Sequence, residues 1–415
     1  MNVLNQRKYD SFIWNWDNYF TYSKEFGKND VTAVLGMSRS TNNNSEYLSG
    51  TRNNVPEQSN YWYLDFSSDN TNIAPGAVVS NSHSTPVISI AYFARADYAY
   101  DGKYLFTASV RREGISAFQE DERWGLFPAV SAGWVISNEA FFSSGKVLTY
   151  LKLRGGYGEV ANGNSGNALN TLVFGSGYNY AFGADQEIFA GANIPYQVDP
   201  SLSWETMTEV DLGLDFKLFN NKLSGIFDLY NRNSVDVILP VSLPPVLSPG
   251  AVYLNTGTVS NNGFEITLRW EDRMNENWGY YLGTNFSANK NELKDVSNAY
   301  FANFIGGGLG NGQWTKQVLV GEPLGSFYVY DVTGYNAQGG FNYSSERVVA
   351  GSYLPTYTYG INLGLNYKNI DFSADLFGVG GNKLYNGKKA QRFGGENVEY
   401  EILDSFCRSI NTQCG

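Results

Sequence analysis

The stretch Thr206-Met207-Thr208-Glu209-Val210-Asp211-Leu212-Gly213-Leu214-Asp215-Phe216-Lys217-Leu218 alternates without a break. Val210, Leu212, Leu214, Phe216 and Leu218 fall on one parity. Glu209, Asp211, Gly213, Asp215 and Lys217 fall on the other. A polar turn, Asn220-Asn221-Lys222, follows. Leu223, Gly225, Phe227 and Leu229 then resume opposite Ser224, Asp228 and Arg232, as far as Asn233. Successive side chains of a strand point to opposite faces, so each arm of this hairpin carries one apolar and one charged face. Charges at every second position cannot line a dry core. A soluble sheet would turn the apolar face inward; a membrane barrel would turn it to lipid and keep the charges in a wet lumen. The period alone leaves both solvents open.

Working outward, hairpins of the same style recur. Trp16 to Phe26 turns at Gly27-Lys28-Asn29-Asp30 and returns through Val31, Ala33, Leu35 and Met37. Ile88 to Tyr100 turns at Asp101-Gly102-Lys103, a strong two-residue hairpin signal, and returns through Tyr104, Phe106, Ala108 and Val110. Phe127–Ile136, Leu151–Tyr157, Phe264–Trp270 with Tyr280–Ala288, and Tyr357–Tyr367 with Ile370–Val379 complete about twelve strands. Many reach about ten residues, longer than the soluble mode of roughly 5–6. Connections at 27–30, 101–103, 219–222, 271–277 and 368–369 are short. Those at 38–87, 114–126, 159–203, 234–261, 289–325 and 380–415 are long and rich in Gly, Asn, Ser and Tyr. Short turns on one end and long loops on the other are the plan of an outer-membrane barrel, and a soluble sandwich has no reason to segregate them.

Composition agrees. The 415 residues include 45 Gly, 30 Tyr, 26 Phe and 9 Trp, a mix suited to pleated, half-exposed surfaces with frequent bulges and turns. Aromatics gather at strand ends, as in Trp14, Trp16 and Tyr19, or Trp278, Tyr280 and Tyr281. That fits interfacial girdles, with hairpin-end packing the blander account of any single ring. No run of about 18 apolar residues supplies a transmembrane helix. The net charge of −11 argues against a nucleic-acid partner. The expected fold is therefore all-β: a transmembrane antiparallel β-barrel whose single domain spans 1–415. Met1 to Lys8 lacks the apolar core of a signal peptide, so the expectation is either that the protein stays in the cytoplasm or that these residues are not the true start of the gene product.

Catalytic chemistry is not found. The one histidine, His83, reads as a solvated loop residue, and without others there is no Ser-His-Asp triad and no histidine metal cluster. Cys407 and Cys414 suit a disulfide or idle thiols rather than zinc. Gly306-Gly307-Gly308-Leu309-Gly310 lacks the following Lys-Ser/Thr of a phosphate cradle. No metal and no cofactor is expected, and an enzyme ranks well below transport or binding. The candidate solute contacts are aromatic loop residues: Tyr178, Tyr180, Phe182, Trp204, Tyr300 and Trp314. Arg154, Asp211, Asp215 and Arg269 are the candidate lumen lining. Loop self-packing and simple lumen solvation are the bland alternatives.

Several blocks carry a resemblance. They include Asn18-Tyr19-Phe20-Thr21-Tyr22 with Phe26-Gly27-Lys28, and Arg123-Trp124-Gly125-Leu126-Phe127-Pro128 through Trp134 with Ser137-Asn138-Glu139. Further blocks are Leu151-Lys152-Leu153-Arg154-Gly155-Gly156-Tyr157-Gly158, Asn255-Thr256-Gly257 with Asn262-Gly263-Phe264-Glu265, Gly321-Glu322-Pro323-Leu324-Gly325-Ser326, and Gly381-Asn382-Lys383-Leu384-Tyr385-Asn386. In this order they resemble the SusC/RagA-like TonB-dependent transporters of Bacteroidetes outer membranes; Leu126 and Ala129 depart mildly from the family pattern. The resemblance implies a 22-stranded barrel with a plug, a SusD-like surface lipoprotein as lid, coupling to the TonB-ExbB-ExbD complex, and import of an oligosaccharide or peptide. No stretch resembles the plug or a TonB-contacting segment, and the family runs on past the last block. The expectation is thus roughly half a barrel, without plug domain or C-terminal strands. The rivals are a passive porin-like or adhesive barrel, a soluble all-β glycan-binding module, and a surface glycosidase.

Overall fold

A computed structural model describes residues 3–53, 57–58, 78–142, 145–163, 201–242, 251–296, 314–316 and 319–386, less positions 43, 85, 146 and 339, plus short pieces between 175 and 199. Twelve strands form one continuous antiparallel path. They are β1 (Trp14–Phe26), β2 (Asn29–Asn42), β3 (Val87–Tyr100), β4 (Tyr104–Ile115), β5 (Trp124–Val135) and β6 (Leu148–Asn162), followed by β7 (Glu205–Leu218), β8 (Leu223–Ser242), β9 (Ala251–Asn275), β10 (Trp278–Val296), β11 (Tyr357–Tyr367) and β12 (Ile370–Gly380). Each pairs with the next in sequence, so the wall is a plain meander with β1 and β12 as its two edges.

The short turns are built where the sequence supplies left-handed residues. Asp101 and Gly102 both have positive φ, 52° and 63°, as a two-residue primed hairpin turn requires. At the β7–β8 turn, Asn220 and Asn221 tolerate the same region through their short polar side chains. Phe219 joins them at φ 55°; its N–H donates to the Val147 carbonyl and its ring lies 6.0 Å from that of Trp270.

Register carries the opening alternation across the whole wall. The Leu214 row runs through Leu153 and Trp134 on one side and Phe227, Ile266, Phe286 and Tyr359 on the other. Every member is apolar or aromatic. On β5 the outward tryptophans Trp124 and Trp134 sit at opposite ends of one strand. At about 3.4 Å per residue and a tilt near 45°, they stand roughly 24 Å apart along the barrel axis, the height of an outer-membrane apolar band.

Several segments expected to be loops are strand. β8 and β9 run on through most of 234–261, β10 extends to Val296, and β2 to Asn42. In β8 the reason is a bulge. Register shifts between Ser234 and Val237, with Asp236 at φ 56°, so the parity of the apolar residues changes mid-strand and the alternation reads as broken. Beyond the bulge, Val237 and Leu239 turn to the same face as Val259 and Leu293 and pack with them. Two smaller three-stranded sheets stand beyond the wall at the long-loop end. One joins Val3–Ser11, Ser45–Asn53 and Val78–His83; the other joins Trp314–Lys316, Ser326–Tyr335 and Phe341–Ser352.

The short-turn end is clamped by charge. Lys28 Nζ lies 2.8 Å from Asp101 Oδ2, and Lys103 Nζ 3.3 Å from Glu139 Oε2. Tyr104 Oη and Trp134 Nε1 both donate to Glu139 Oε1, at 2.6 and 3.1 Å. The Tyr104 and Trp134 bonds, with Lys103 beside them, hold the Glu139 carboxyl below its ordinary 4.5. A carboxyl depressed in the folded state stabilises above its unfolded pKa, and that contribution is lost as pH falls through the folded value. Glu139→Gln should therefore lower the thermal midpoint at pH 7, and the gap to the parent should close in scans taken well below pH 4.5. A gap that is constant across that range would refute the assignment.

Candidate solute path on the lumen wall

The polar face gathers charge around one guanidinium. Arg154 on β6 stands directly across from Gly213 on β7, which in turn stands across from Asp228 on β8. Asp211 and Asp215 lie one step above and below Gly213 on the same face. Arg154 Nη2 is 2.6 Å from Asp228 Oδ1, Nε is 3.1 Å from Asp215 Oδ1, and Nη1 is 3.5 Å from Asp211 Oδ2. Reaching across a whole strand is possible because Gly213 has no side chain. A methyl there would come within 2.5 Å of Arg154 Nη1 and 2.6 Å of Asp228 Oδ1. Lys152 adds a weaker contact to Asp215 at 3.9 Å, and next to this group Arg232 Nε holds Glu209 Oε2 at 2.8 Å.

Beside the cluster is a hollow of about 320 Å³ between β4 and β7. Small residues, Ser109, Ala129, Ser131, Gly156 and Gly158, share its lining with Met207 and Val160, while Glu209 and Asp211 supply charge at one side. Small residues beside fixed charges leave open space with hydrogen-bonding groups at its edge, as a wet path needs.

At the long-loop rim the same face changes character. Val87, Ile115, Phe118, Phe127 and Trp204 form an apolar cluster. Trp204 is 7% exposed, with Phe118 and Phe127 each 5.4 Å from its ring centroid, and its Nε1 donates to the Arg123 carbonyl at 3.1 Å. Its ring is thus an anchor of the rim core rather than a surface facing solute. The neighbouring Ser203 is held from both sides by Asn255, which accepts from its N–H at 2.8 Å and donates to its carbonyl at 3.1 Å.

Of the residues singled out from the sequence, Arg154, Asp211 and Asp215 come together. Arg269 does not join them; near the other end of β9 it pairs with Glu271 at 3.1 Å and lies 4.2 Å over the Tyr281 ring. Sequence reasoning misses Asp228, Gly213 and Lys152 as members of the cluster. Their signal lies in the pairing register: the β7–β8 turn fixes which residue of one arm opposes which of the other. Tyr180 and Phe182 lie in a short strand paired with Glu187–Phe189, and Trp314 lies in the strand Trp314–Lys316. Tyr178, Tyr300, Cys407 and Cys414 lie outside the described residues. Among the described residues no group of His, Cys, Asp and Glu has the arrangement of a metal site.

The family described as "TonB dependent receptor-like, beta-barrel" matches residues 2–386. The chain belongs to this family. It is an outer-membrane β-barrel chain, and the apolar face of the wall is its lipid face. It is 29% identical over 391 residues to TonB-dependent receptor P3 of Formosa agariphila, covering 86% of this chain and 37% of that receptor. It is likewise 29% identical to TonB-dependent receptor SusC of Bacteroides thetaiotaomicron, over 73% of this chain and 32% of SusC. Among solved structures, the RagAB peptide importer in its closed-closed state overlays 91% of this chain and 42% of its own, with a TM-score of 0.75 at 22% identity. The Escherichia coli outer-membrane transporter YddB overlays 94% with a TM-score of 0.54 at 12% identity. At these identities the overlays speak for the TonB-dependent barrel fold. The chain spans between 29% and 39% of the length of the curated relatives it matches.

Proposed function

We propose that this wall is part of a SusC-type importer that carries an oligosaccharide or peptide across the outer membrane, powered by TonB-ExbB-ExbD. Its long-loop end faces outside and receives solute together with a SusD-like lipoprotein. The observation that carries the reading is the one-sided charge lattice around Arg154, set beside the small-residue hollow, on a wall whose other face is apolar. These charges either line the solute path or hold a plug inside the barrel, and the reading assigns the chain no catalysis. Family membership, the likeness to SusC, and a structural neighbour described as a peptide importer support the cargo class.

The test is uptake. Cells expressing the complete receptor should deplete a mixed pool of labelled oligosaccharides or peptides faster than a deletion strain. Collapse of the proton-motive force should abolish the difference. Uptake that continues unchanged after collapse would identify a passive barrel instead.

A further inference from the structure

Two arginines on the lipid face break the pattern of the others. The lumen-facing Arg95, Arg111, Arg154, Arg232 and Arg269 each hold a carboxylate. Arg39 on β2 and Arg112 on β4 face outward, in register with Trp16 and Ile90, and with Tyr92 and Leu126. Both are exposed, and neither makes an ion pair among the described residues. Each instead lies over a tryptophan at the long-loop border of the apolar band: Arg39 is 5.6 Å from the Trp14 ring centroid and Arg112 is 5.0 Å from that of Trp124. Tyr92, on the strand between them, stacks on Trp124 at 6.3 Å. The outward carboxylate of Glu159 on β6 accepts a hydrogen bond from Tyr157.

A guanidinium is always charged and its fork matches phosphate oxygens. Each arginine stands one same-face step inside its tryptophan, Arg39 level with Trp16 and Arg112 with Leu126, and its guanidinium reaches back to the aromatic row, where it meets headgroups rather than acyl chains. β2 and β4 are two strand spacings apart, about 10 Å, and the two arginines are offset by one same-face step, about 7 Å, so both side chains reach a single headgroup between them. We propose that Arg39 and Arg112, framed by Trp14, Tyr92 and Trp124, form a site on the outer wall for a phosphate-bearing glycolipid of the outer leaflet. The choice of leaflet rests on the orientation proposed above.

The site is tested on the complete receptor in detergent. Native mass spectrometry would follow titration with phosphorylated lipid A and, separately, with the same lipid A after removal of its phosphates. Phosphorylated lipid A should be retained about tenfold more tightly by the parent protein. Arg39→Gln/Arg112→Gln should abolish that preference, whereas Lys24→Gln, outward at the other end of β1, should preserve it. Equal retention of the two lipids by the parent, or an unchanged preference in the double variant, would overturn the site. Cysteines placed at Asn277 and Gln338 and labelled on intact cells read orientation independently. Label at Gln338 alone with no phosphate preference removes the lipid site and leaves the orientation standing; label at Asn277 alone removes the orientation and the leaflet assignment with it.

Discussion

Arginine at Leu214 should destabilise the assembled barrel by about 2–4 kcal/mol, while arginine at Ile226, one strand away, should cost far less. Leu214 is the middle of five outward apolar residues on β7, from Val210 to Leu218, so it stands near the bilayer midplane. A charge there faces hydrocarbon over its whole length. Ile226 faces the other way. It pairs with Asp215 on β7 and with Thr267 on β9, and its same-face neighbours include Asp228 and Glu265. An arginine at 226 would enter water beside carboxylates. The pair is a stringent comparison because both substitutions replace a branched apolar residue by the same charged one. Urea titration of the protein in vesicles, followed by heat-modifiable mobility, gives the two free energies. Equal costs would mean that the apolar face is not the lipid face.

That comparison also shows what can be read from the sequence and what cannot. The parity of Thr206 to Leu218 separates the two faces by itself, because burial on one side demands strict period-two patterning. Ile226 is the exception on the polar parity, and hydropathy alone would send it to lipid; its parity with Ser224 and Asp228 and its pairing with Asp215 place it in the lumen. The short turns are legible because Asp101-Gly102 and Asn220-Asn221 name their own backbone conformation. The extensions of β8 and β9 are not, since the bulge at Asp236 inverts parity and a period-two reading stops there. The candidate site is half legible for a similar reason. Charges on one strand announce a polar face, but which charges meet depends on register between strands. A tryptophan next to a carboxylate, Trp204-Glu205, reads the same whether the ring meets solvent or, as here, Phe118 and Phe127.

The cluster around Arg154 yields the second large effect. Arg154→Met should destabilise the wall by about 1–3 kcal/mol, because it leaves Asp211, Asp215 and Asp228 together with only Lys152 nearby. The lumen is wet and the Arg154 side chain is 30% exposed, so solvent screening keeps the cost below that of a fully buried pair. Gly213→Ala attacks the same contacts from beneath. The added methyl occupies the space through which the guanidinium reaches Asp228, so Arg154 must lift away from β8. If the cluster rests on that passage, the two substitutions cannot add. With methionine at 154 there is no guanidinium to displace, and alanine at 213 should then cost only a few tenths of a kcal/mol, against about 1 kcal/mol or more in the parent. A double-mutant cycle measured by urea unfolding in vesicles reads this coupling directly. Strict additivity would mean that Gly213 serves only the backbone of β7, and that the reach of Arg154 across it contributes nothing to the wall.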